Sequence, residues 1–307
     1  MSAKSAGPTG GRPRFRAAFA FMLATPAAPV WLRSPLSPSS YTALRRRPAR
    51  RECLSDMAAT QPRFDAIDAL RGAAMLWMTA YHFAFDLNHF GHIRQNFYED
   101  PVWTWQRTGI VSLFLLCAGM GQVVAVQRGQ SWPRFARRWV QVAGCAALVS
   151  LGSLWMFPRS WISFGVLHGM AVMLLVTRWA LVRGWLRGAV PWLAGAALIA
   201  AAPLLGAALR TQAPAAMAAA FDSRWLNWLG VVTLKPPTED WVPLLPWLGV
   251  MWLGVGLMQW PTGRGWLARP PGAVGRALAP LGRWSLSYYM LHQPVLIVAL
   301  MAWAALR

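Results

Sequence analysis

The sequence predicts an all-α fold, a polytopic transmembrane bundle of about seven helices, and three observations support this prediction. Of the 307 residues, 56% are hydrophobic and only 13% are charged, and the mean hydropathy is positive at +0.35. A water-soluble domain of this length is less apolar. Apolar stretches near the roughly 20 residues that a spanning helix needs recur along the chain. The 20 Trp residues are a further sign, because Trp collects at bilayer interfaces.

Seven apolar stretches account for the predicted helices in order. The sixth begins after two prolines in PLLPWLG, which mark its entry. Glycines 119 and 121 in the second stretch, within LLCAGMGQ, favour close approach of a neighbouring helix. The stretches are 67–88, 108–127, 138–157, 161–182, 189–209, 243–260 and 284–306.

The segment before Met57 differs from the rest. It is rich in Arg, Pro, Ser and Ala, and its apolar piece, residues 17–32, is interrupted by prolines and is short for a span. A basic start and an apolar middle would also suit a signal peptide. Because MAATQPRFDAIDALRG is a natural beginning, we expect residues 1–56 to be a disordered or mis-assigned basic leader and 57–307 to be the membrane domain.

Charge and cysteine content exclude two classes of protein. The net charge is +20, but ten of the 30 Lys and Arg lie in the first 56 residues and the others are scattered between apolar spans. We therefore expect no nucleic-acid partner. The three cysteines, Cys53, Cys117 and Cys145, form no CxxC pair, so they are interpreted as small buried apolar side chains rather than as disulfides or metal ligands.

The loops predict an orientation, because short loops rich in Lys and Arg stay in the cytoplasm. Basic residues follow the second, fourth and sixth stretches, whereas acidic residues fall in the alternate loops. We expect a cytoplasmic N-terminus and an external C-terminus. The basic set is Arg128, Arg134, Arg137, Arg138, Arg178, Arg183, Arg187, Arg264, Arg269, Arg276 and Arg283, and the acidic set is Glu99, Asp100, Asp222, Glu239 and Asp240.

Ionisable residues follow one face of the first predicted helix. The side chains step by three or four residues, with Asp68 one turn before the first of them; the series is Arg71, Met75, Met78, His82, Asp86 and His89. Arg71 and His82 are about 16 Å apart along the axis. Ionisable groups in a membrane are costly, so this face is a candidate functional site.

Each pair on this face also has a structural interpretation. Asp68 and Arg71 suit an interfacial ion pair, and His82 and Asp86 suit a hydrogen-bonded pair that bridges helices. In the functional interpretation, Asp86 orients the His82 imidazole as a general base. A metal at His82, Asp86 and His89 lacks a second cluster of donors, so no metal is expected.

Two more histidines lie inside apolar stretches. His168 is in WISFGVLHGMAV, and His292 precedes Gln293 in GRWSLSYYMLHQPVLI. A lone histidine in such a place is commonly a hydrogen bond between helices, so these residues are second candidates. His89 and His92 lie close to the outer end, where loop histidines are ordinary. No GxSxG elbow, P-loop or HExxH motif is present.

Several segments in order resemble a known family. They are IDALRGAAMLWMTAYHFAFDL, SLFLLCAGMGQ, WISFGVLHGMAV, PLLPWLGVMWLG and GRWSLSYYMLHQPVL. Together they resemble bacterial membrane proteins grouped with the catalytic domain of heparan-alpha-glucosaminide N-acetyltransferase. IDALRG with a histidine eleven residues after its arginine is also similar to the integral membrane acyltransferases that O-acylate surface sugars.

The resemblance implies a membrane acyltransferase-like domain in the bacterial inner membrane. It would transfer an acetyl group from cytoplasmic acetyl-CoA to a sugar amine or hydroxyl at the periplasmic face. It places Asp68 and Arg71 near the donor. His82 matches the essential histidine of the O-acylating relatives, whereas the N-acetyltransferase pattern favours a histidine nearer His92. Direct transfer and an acyl-histidine intermediate both remain open, as does the oligomeric state.

Two other classes of function use the same features. A proton-coupled transporter would use the polar face as a proton relay, but the sequence has no internal repeat. A non-catalytic membrane assembly protein would need the polar face only to hold helices together.

Overall fold

The computed structural model describes residues 64–156, 158–238 and 240–306, which fold as α-helices joined by loops, with no strand among them. The predicted leader, residues 1–56, lies outside the described residues, as does Glu239. The helices are α1 (Asp65–His89), α2 (Pro101–Gln127), α3 (Trp132–Met156), α4 (Val166–Val182), α5 (Val190–Gln212), α6 (Ala215–Asp222), α7 (Leu244–Gln259), α8 (Pro261–Ala268), α9 (Ala273–Arg283) and α10 (Ser285–Ala305). A short 3₁₀ turn, Asn227–Leu229, precedes α7.

The all-α prediction is confirmed, and each of the seven predicted stretches contains one helix: α1, α2, α3, α4, α5, α7 and α10. Among the described residues, four of them, α2, α3, α5 and α10, are long and apolar enough to cross a membrane. Helices α4 and α7 are apolar but shorter. The protein is therefore a multi-pass membrane protein, and the count of seven spans stays a prediction.

Several helix boundaries differ from the predicted ones for local reasons. Helix α2 begins at Pro101 rather than at residue 108, because the Asp100 side chain accepts the Val102 N–H at 2.8 Å and Pro101 suits the first turn. Helix α4 begins at Val166 rather than at residue 161, and Gly165 is its N-cap. Helices α8 and α9 lie in a segment that the hydropathy pattern predicts only as a basic loop.

Contacts between loops assign the connections to two ends of the bundle. One end, which we name the basic end, joins the start of α1 to the loops after α2, α4 and α7 through Arg178 with Gln130, Gln259 with Leu186, and Arg283 with Asp65. The opposite end joins the other loops through Asp240 with Val166, Thr238 with Trp161, and His92 with Trp303. Neighbouring long helices therefore alternate in direction, as the loop charges predict.

Close helix contact depends on glycines. A Cβ at Gly72 of α1 would overlap the backbone carbonyl of Leu278 in α9, and a Cβ at Gly282 of α9 would overlap that of Asp68. Gly119 of α2 meets the backbone of Met251 in α7 in the same way, which confirms the prediction for Gly119, whereas no backbone atom of a neighbouring helix is close to Gly121. Cys117 is buried and Cys145 is half-buried, both as free thiols, while Cys53 lies outside the described residues.

Candidate active site

Three polar contacts join α1 to α10. Thr79 Oγ1 lies 2.7 Å from Tyr288 Oη, His82 Nδ1 lies 2.8 Å from His292 Nε2, and Gln293 Nε2 donates to Asp86 Oδ1 at 2.7 Å. The residue numbers increase together in the two helices, so α1 and α10 run parallel at this point. The sequence-predicted candidates His82, Asp86, His292 and Gln293 are thus brought into one cluster.

Hydrogen bonds determine which ring nitrogens of the histidine pair carry protons. His292 Nδ1 lies 2.7 Å from the backbone oxygen of Tyr289, and a carbonyl oxygen only accepts, so Nδ1 carries the proton. In neutral His292 the Nε2 atom is then an acceptor for the Nδ1–H of His82. A neutral His82 consequently has its lone pair on Nε2, the nitrogen that the pair does not use.

Asp86 and Gln293 retain unused hydrogen-bonding capacity. Asp86 is 4% exposed. Its Oδ2 and the Oε1 of Gln293 are buried with no hydrogen-bond partner among the described residues. A buried carboxylate oxygen without a donor is costly. The arrangement therefore favours a ligand that brings an N–H or O–H group to this position.

The partner of His82 differs from the predicted one. The spacing of four residues places His82 and Asp86 on one face of α1, as predicted. That face lies against α10, and each side chain bonds to a residue of α10 rather than to the other: His82 to His292, Asp86 to Gln293. The spacing along one helix shows which side chains share a face, but it does not show what the facing helix supplies.

At the basic end, the charges of α1 are paired. Arg71 donates to Asp68 at 3.1 Å, as the spacing predicts, and Arg283 of α9 bonds Asp65 at 3.1 Å and lies 3.7 Å from Asp68. Asp65 was not predicted to belong to this cluster, although it precedes Asp68 by one helical turn. The result is an ion network that ties α1 to α9 where the donor was predicted to bind.

His168 belongs to a local structure at the start of α4. The N–H of Gly165 donates to its Nδ1 at 3.2 Å, and its Nε2 lies 3.0 Å from Ser150 Oγ in α3, which in turn donates to the Ile162 carbonyl at 2.6 Å. Both ring nitrogens are thus engaged. This matches the interpretation of His168 as a hydrogen bond between helices.

His89 and His92 lie away from the histidine pair. Both are exposed, and the His92 ring packs on Trp303 with centroids 4.9 Å apart. Trp303 follows His292 on α10 by a distance of about 16 Å along the axis. His92 is therefore near the opposite end of the bundle, and His82 lies deeper.

A cavity of about 390 Å³ lies at the opposite end of the bundle. Its polar lining comes from α2, α5 and the loop before α7, in the form of Arg107, Arg210, Lys235 and Asp240. The sequence alone did not point to these basic residues as site residues, because three separate segments supply them.

The described residues contain no group of three His, Cys, Asp or Glu side chains that could hold a metal ion. The side chains of the cluster of His82, Asp86, His292 and Gln293 can transfer protons and form hydrogen bonds. These are the tasks of a general base and of an acceptor-binding residue.

The bundle thus contains a histidine pair, half-buried at His82 and buried at His292, and a separate cavity with a polar lining. The model of the family "Heparan-alpha-glucosaminide N-acetyltransferase, catalytic" matches residues 63–294, so the chain belongs to this family and is a membrane-bound acetyltransferase. No curated protein and no solved structure matches the chain with statistical significance. The matched range includes the histidine pair, the ion network and the cavity lining.

Proposed function

We propose that this protein transfers an acetyl group from acetyl-CoA, bound from the basic end, to an amine or hydroxyl of a sugar at the opposite end, with His82 as general base. The observation that carries this proposal is the His82–His292 pair, because its hydrogen bonds leave the His82 lone pair on Nε2. In this proposal the basic end is cytoplasmic, the opposite end is periplasmic, and the membrane is the bacterial inner membrane.

At the carbonyl carbon of the acetyl group, the proposed step forms the bond to the acceptor and breaks the bond to sulfur. The acceptor nitrogen or oxygen attacks the thioester carbonyl carbon while His82 Nε2 removes the acceptor proton, and the C–S bond breaks to release the coenzyme A thiolate. The thiolate recovers a proton as the base is regenerated. The His82 imidazolium keeps its Nδ1–H bond to His292 Nε2, so the charged ring needs no reorientation.

Asp86 and Gln293 suit the acceptor side of this step. The unpartnered Oδ2 of Asp86 and Oε1 of Gln293 are both hydrogen-bond acceptors, so together they can bind the N–H or O–H groups of a sugar. Because Asp86 is one helical turn from His82 on α1, its carboxylate, when ionised, also stabilises the imidazolium that forms.

Arg71 and Asp68 are proposed for the donor side. The Asp68 carboxylate holds the Arg71 guanidinium through one N–H at 3.1 Å, and the remaining donors of a guanidinium are available for phosphate oxygens. The basic loops at this end add a positive potential for the anionic coenzyme.

The test is acetyl transfer from radiolabelled acetyl-CoA to amino sugars by the full chain in proteoliposomes. We expect His82→Ala to lower kcat by at least about 100-fold while the protein still inserts and purifies as a folded species. The matched control is His89→Ala, which removes an exposed imidazole two turns along the same helix and should retain activity. Full activity of His82→Ala would refute the assignment.

The same assay distinguishes His82 from His92 and direct transfer from an acyl-enzyme. We expect His92→Ala to stay active, since its ring packs on Trp303 away from the His82–His292 pair.

Direct transfer requires both substrates to be bound together, so double-reciprocal plots of the initial rates should intersect. Parallel lines and a trapped acetyl-histidine would indicate the covalent route instead.

A further inference from the structure

Among the described residues that line the cavity at the opposite end, cations outnumber carboxylates. Arg107 of α2, Arg210 of α5 and Lys235 are there with one described carboxylate, Asp240. The cavity volume of about 390 Å³ is in the range of small-molecule sites, roughly 300–1,000 Å³. The two arginines that share so small a volume repel each other, and an anion between them offsets that repulsion.

The two arginines are poorly satisfied by the protein itself. Within the described part of the chain, neither Arg107 nor Arg210 forms a side-chain hydrogen bond or an ion pair, although Arg107 interacts electrostatically with Asp240. Trp241, which also lines the cavity, has an indole N–H that is buried without a partner among these residues. The cavity wall thus contains N–H donors with unused capacity, and Arg107 among them is half-buried.

Two tyrosines connect the cavity to the histidine pair. Tyr81 packs on Trp103 of α2, the helix that carries Arg107, and its ring centroid lies 5.8 Å from that of His82. Tyr289 packs in one hydrophobic cluster with Val242 of the cavity lining, and its backbone oxygen accepts the His292 Nδ1–H. The cavity wall and the histidine pair are therefore joined through these two tyrosines.

We infer that this cavity binds an anionic group of the acceptor, a carboxylate or phosphate on the sugar that receives the acetyl group. The inference rests on the proposed function and specifies its substrate class. Arg107 and Arg210 hold the anionic oxygens, since guanidinium N–H groups match carboxylate and phosphate geometry. The sugar amine or hydroxyl then extends past Tyr81 and Tyr289 toward His82.

The phosphates of the donor are the competing occupant. The cavity lies at the end opposite to the basic loops and to the ion network of Asp68 and Arg71, where the donor is proposed to bind. If the donor and the acceptor both bound at the opposite end, Asp68 and Arg71 at the basic end would have no role in binding. The experiment therefore includes the donor phosphates as a separate arm.

Binding is measured first, without catalysis. Purified His82→Ala protein in neutral detergent is titrated with glucosamine, glucosamine 6-phosphate, inorganic phosphate, phosphatidylglycerol micelles and 3′-phospho-ADP, and thermal stabilisation is followed. We expect glucosamine 6-phosphate to bind most tightly. Adding Arg107→Gln should weaken this binding about tenfold or more, and Arg210→Gln, at a more exposed position, should weaken it less.

Arg224→Gln is the matched control, because Arg224 lies at the same end of the bundle with its guanidinium 4.9 Å from the Trp161 ring centroid and is outside the cavity lining. It should leave the binding unchanged. If Arg107→Gln fails to fold, Arg210→Gln tests the same inference. Equal binding of the charged and neutral sugars, or a loss confined to 3′-phospho-ADP or to the lipid, would overturn it.

Transfer is measured second, on the chain with His82 intact. We expect Arg107→Gln to lower kcat/KM for glucosamine 6-phosphate about tenfold or more relative to kcat/KM for glucosamine. Equal losses for both sugars would overturn the inference while the acetyltransferase proposal stands. Charge-selective binding without any transfer by the intact enzyme would refute the proposed function and leave the anion site in place.

Discussion

The two ends of the polar face of α1 differ in how their charges are satisfied. At the basic end, Asp68 and Asp65 pair with Arg71 and Arg283, and glycines bring α9 against α1. Toward the opposite end, Asp86 Oδ2 has no partner within the described structure. A satisfied network of this kind mainly holds helices together, whereas unsatisfied buried groups need a ligand. One helix face thus combines two regions. In the structural region, paired charges hold α1 against α9 while Arg71 keeps further N–H donors for the proposed coenzyme, and in the other region buried polar groups are open to a ligand.

Replacing His292 is expected to have the largest effect on acetyl transfer. His292→Ala removes the acceptor of the His82 Nδ1–H and with it the restraint on the His82 ring, so we expect kcat to fall by about 10²- to 10⁴-fold with little loss of folded protein. His292→Gln, which can accept the same hydrogen bond, should recover part of the activity. The pH profile of kcat/KM should shift in both variants, and a purely structural residue would not move it.

His168 is the control for His292, because it is a histidine whose two ring nitrogens bond Gly165 and Ser150. His168→Ala should lower the midpoint of thermal unfolding and the yield, while the folded fraction keeps its kcat. If His168→Ala and His292→Ala had the same effect on kcat, the distinction between the catalytic pair and the structural histidine would fail.

Asp86 should show the next largest effect. Asp86→Asn keeps the shape of the side chain but removes its charge, and we expect kcat/KM to fall by about 10- to 100-fold, the range for a hydrogen bond to a charged group. Acetyl transfer at saturating acetyl-CoA measures the loss.

Asp65→Asn is the control for this change at the basic end. Its ion pair with Arg283 involves side chains that are both 40% exposed, and exposed pairs contribute only about 0–1 kcal/mol. Near-native kinetics are therefore expected. Equal kinetic losses in the two variants would contradict the proposed division of the α1 face.

Gly282 tests the packing of the structural region. A valine at this position would overlap the backbone carbonyl of Asp68, and we expect Gly282→Val to lower the free energy of unfolding by about 1–3 kcal/mol. Gly144→Val on α3 is the control, because a Cβ there meets nothing within 4 Å. Thermal unfolding in detergent measures both, and equal midpoints would show that α9 moves freely.

The sequence predicted the helices better than the site. Apolar stretches near the length of a span are a local property, so the helices in all seven stretches were located, and the spacing of His82 and Asp86 correctly placed them on one face. The pairing of His82 with His292 joins positions 210 residues apart, and no local pattern encodes it. The shorter helices α6, α8 and α9 were missed; in α9, two arginines, two glycines and a proline are also typical of a loop.

The cavity could not be predicted for the same reason. Arg107, Arg210 and Lys235 come from three segments, and each is an ordinary basic residue when the sequence is considered alone. Their meeting depends on how α2, α5 and the loop before α7 pack. A sequence pattern reports the spacing along one helix or strand, whereas this site depends on packing between several.

Asp240 provides the smallest expected effect, a pH dependence of stability at the opposite end. Burial raises the pKa of the Asp240 carboxyl to about 6, against a weaker opposing effect of the Val166 N–H that it accepts at 2.6 Å and of Arg107 and Lys235. Between pH 4 and 6 the folded protein therefore binds this proton more tightly than the unfolded chain does. Its contribution to the free energy of unfolding falls as pH rises, by at most about 1.4 kcal/mol per pH unit.

Asp240→Asn should remove this slope while keeping an oxygen for the Val166 N–H, and unfolding midpoints at several pH values would measure it. The comparison is Asp222, whose burial opposes ionisation but whose pKa is lowered overall by hydrogen bonds from Thr233 and Leu234. Asp222 contributes stability above its unfolded pKa that is lost as pH falls, so Asp222→Asn should change the slope in the opposite sense. An unchanged slope in Asp240→Asn would show that this carboxylate is solvated, and the cavity would then hold a fully charged anion among its cations.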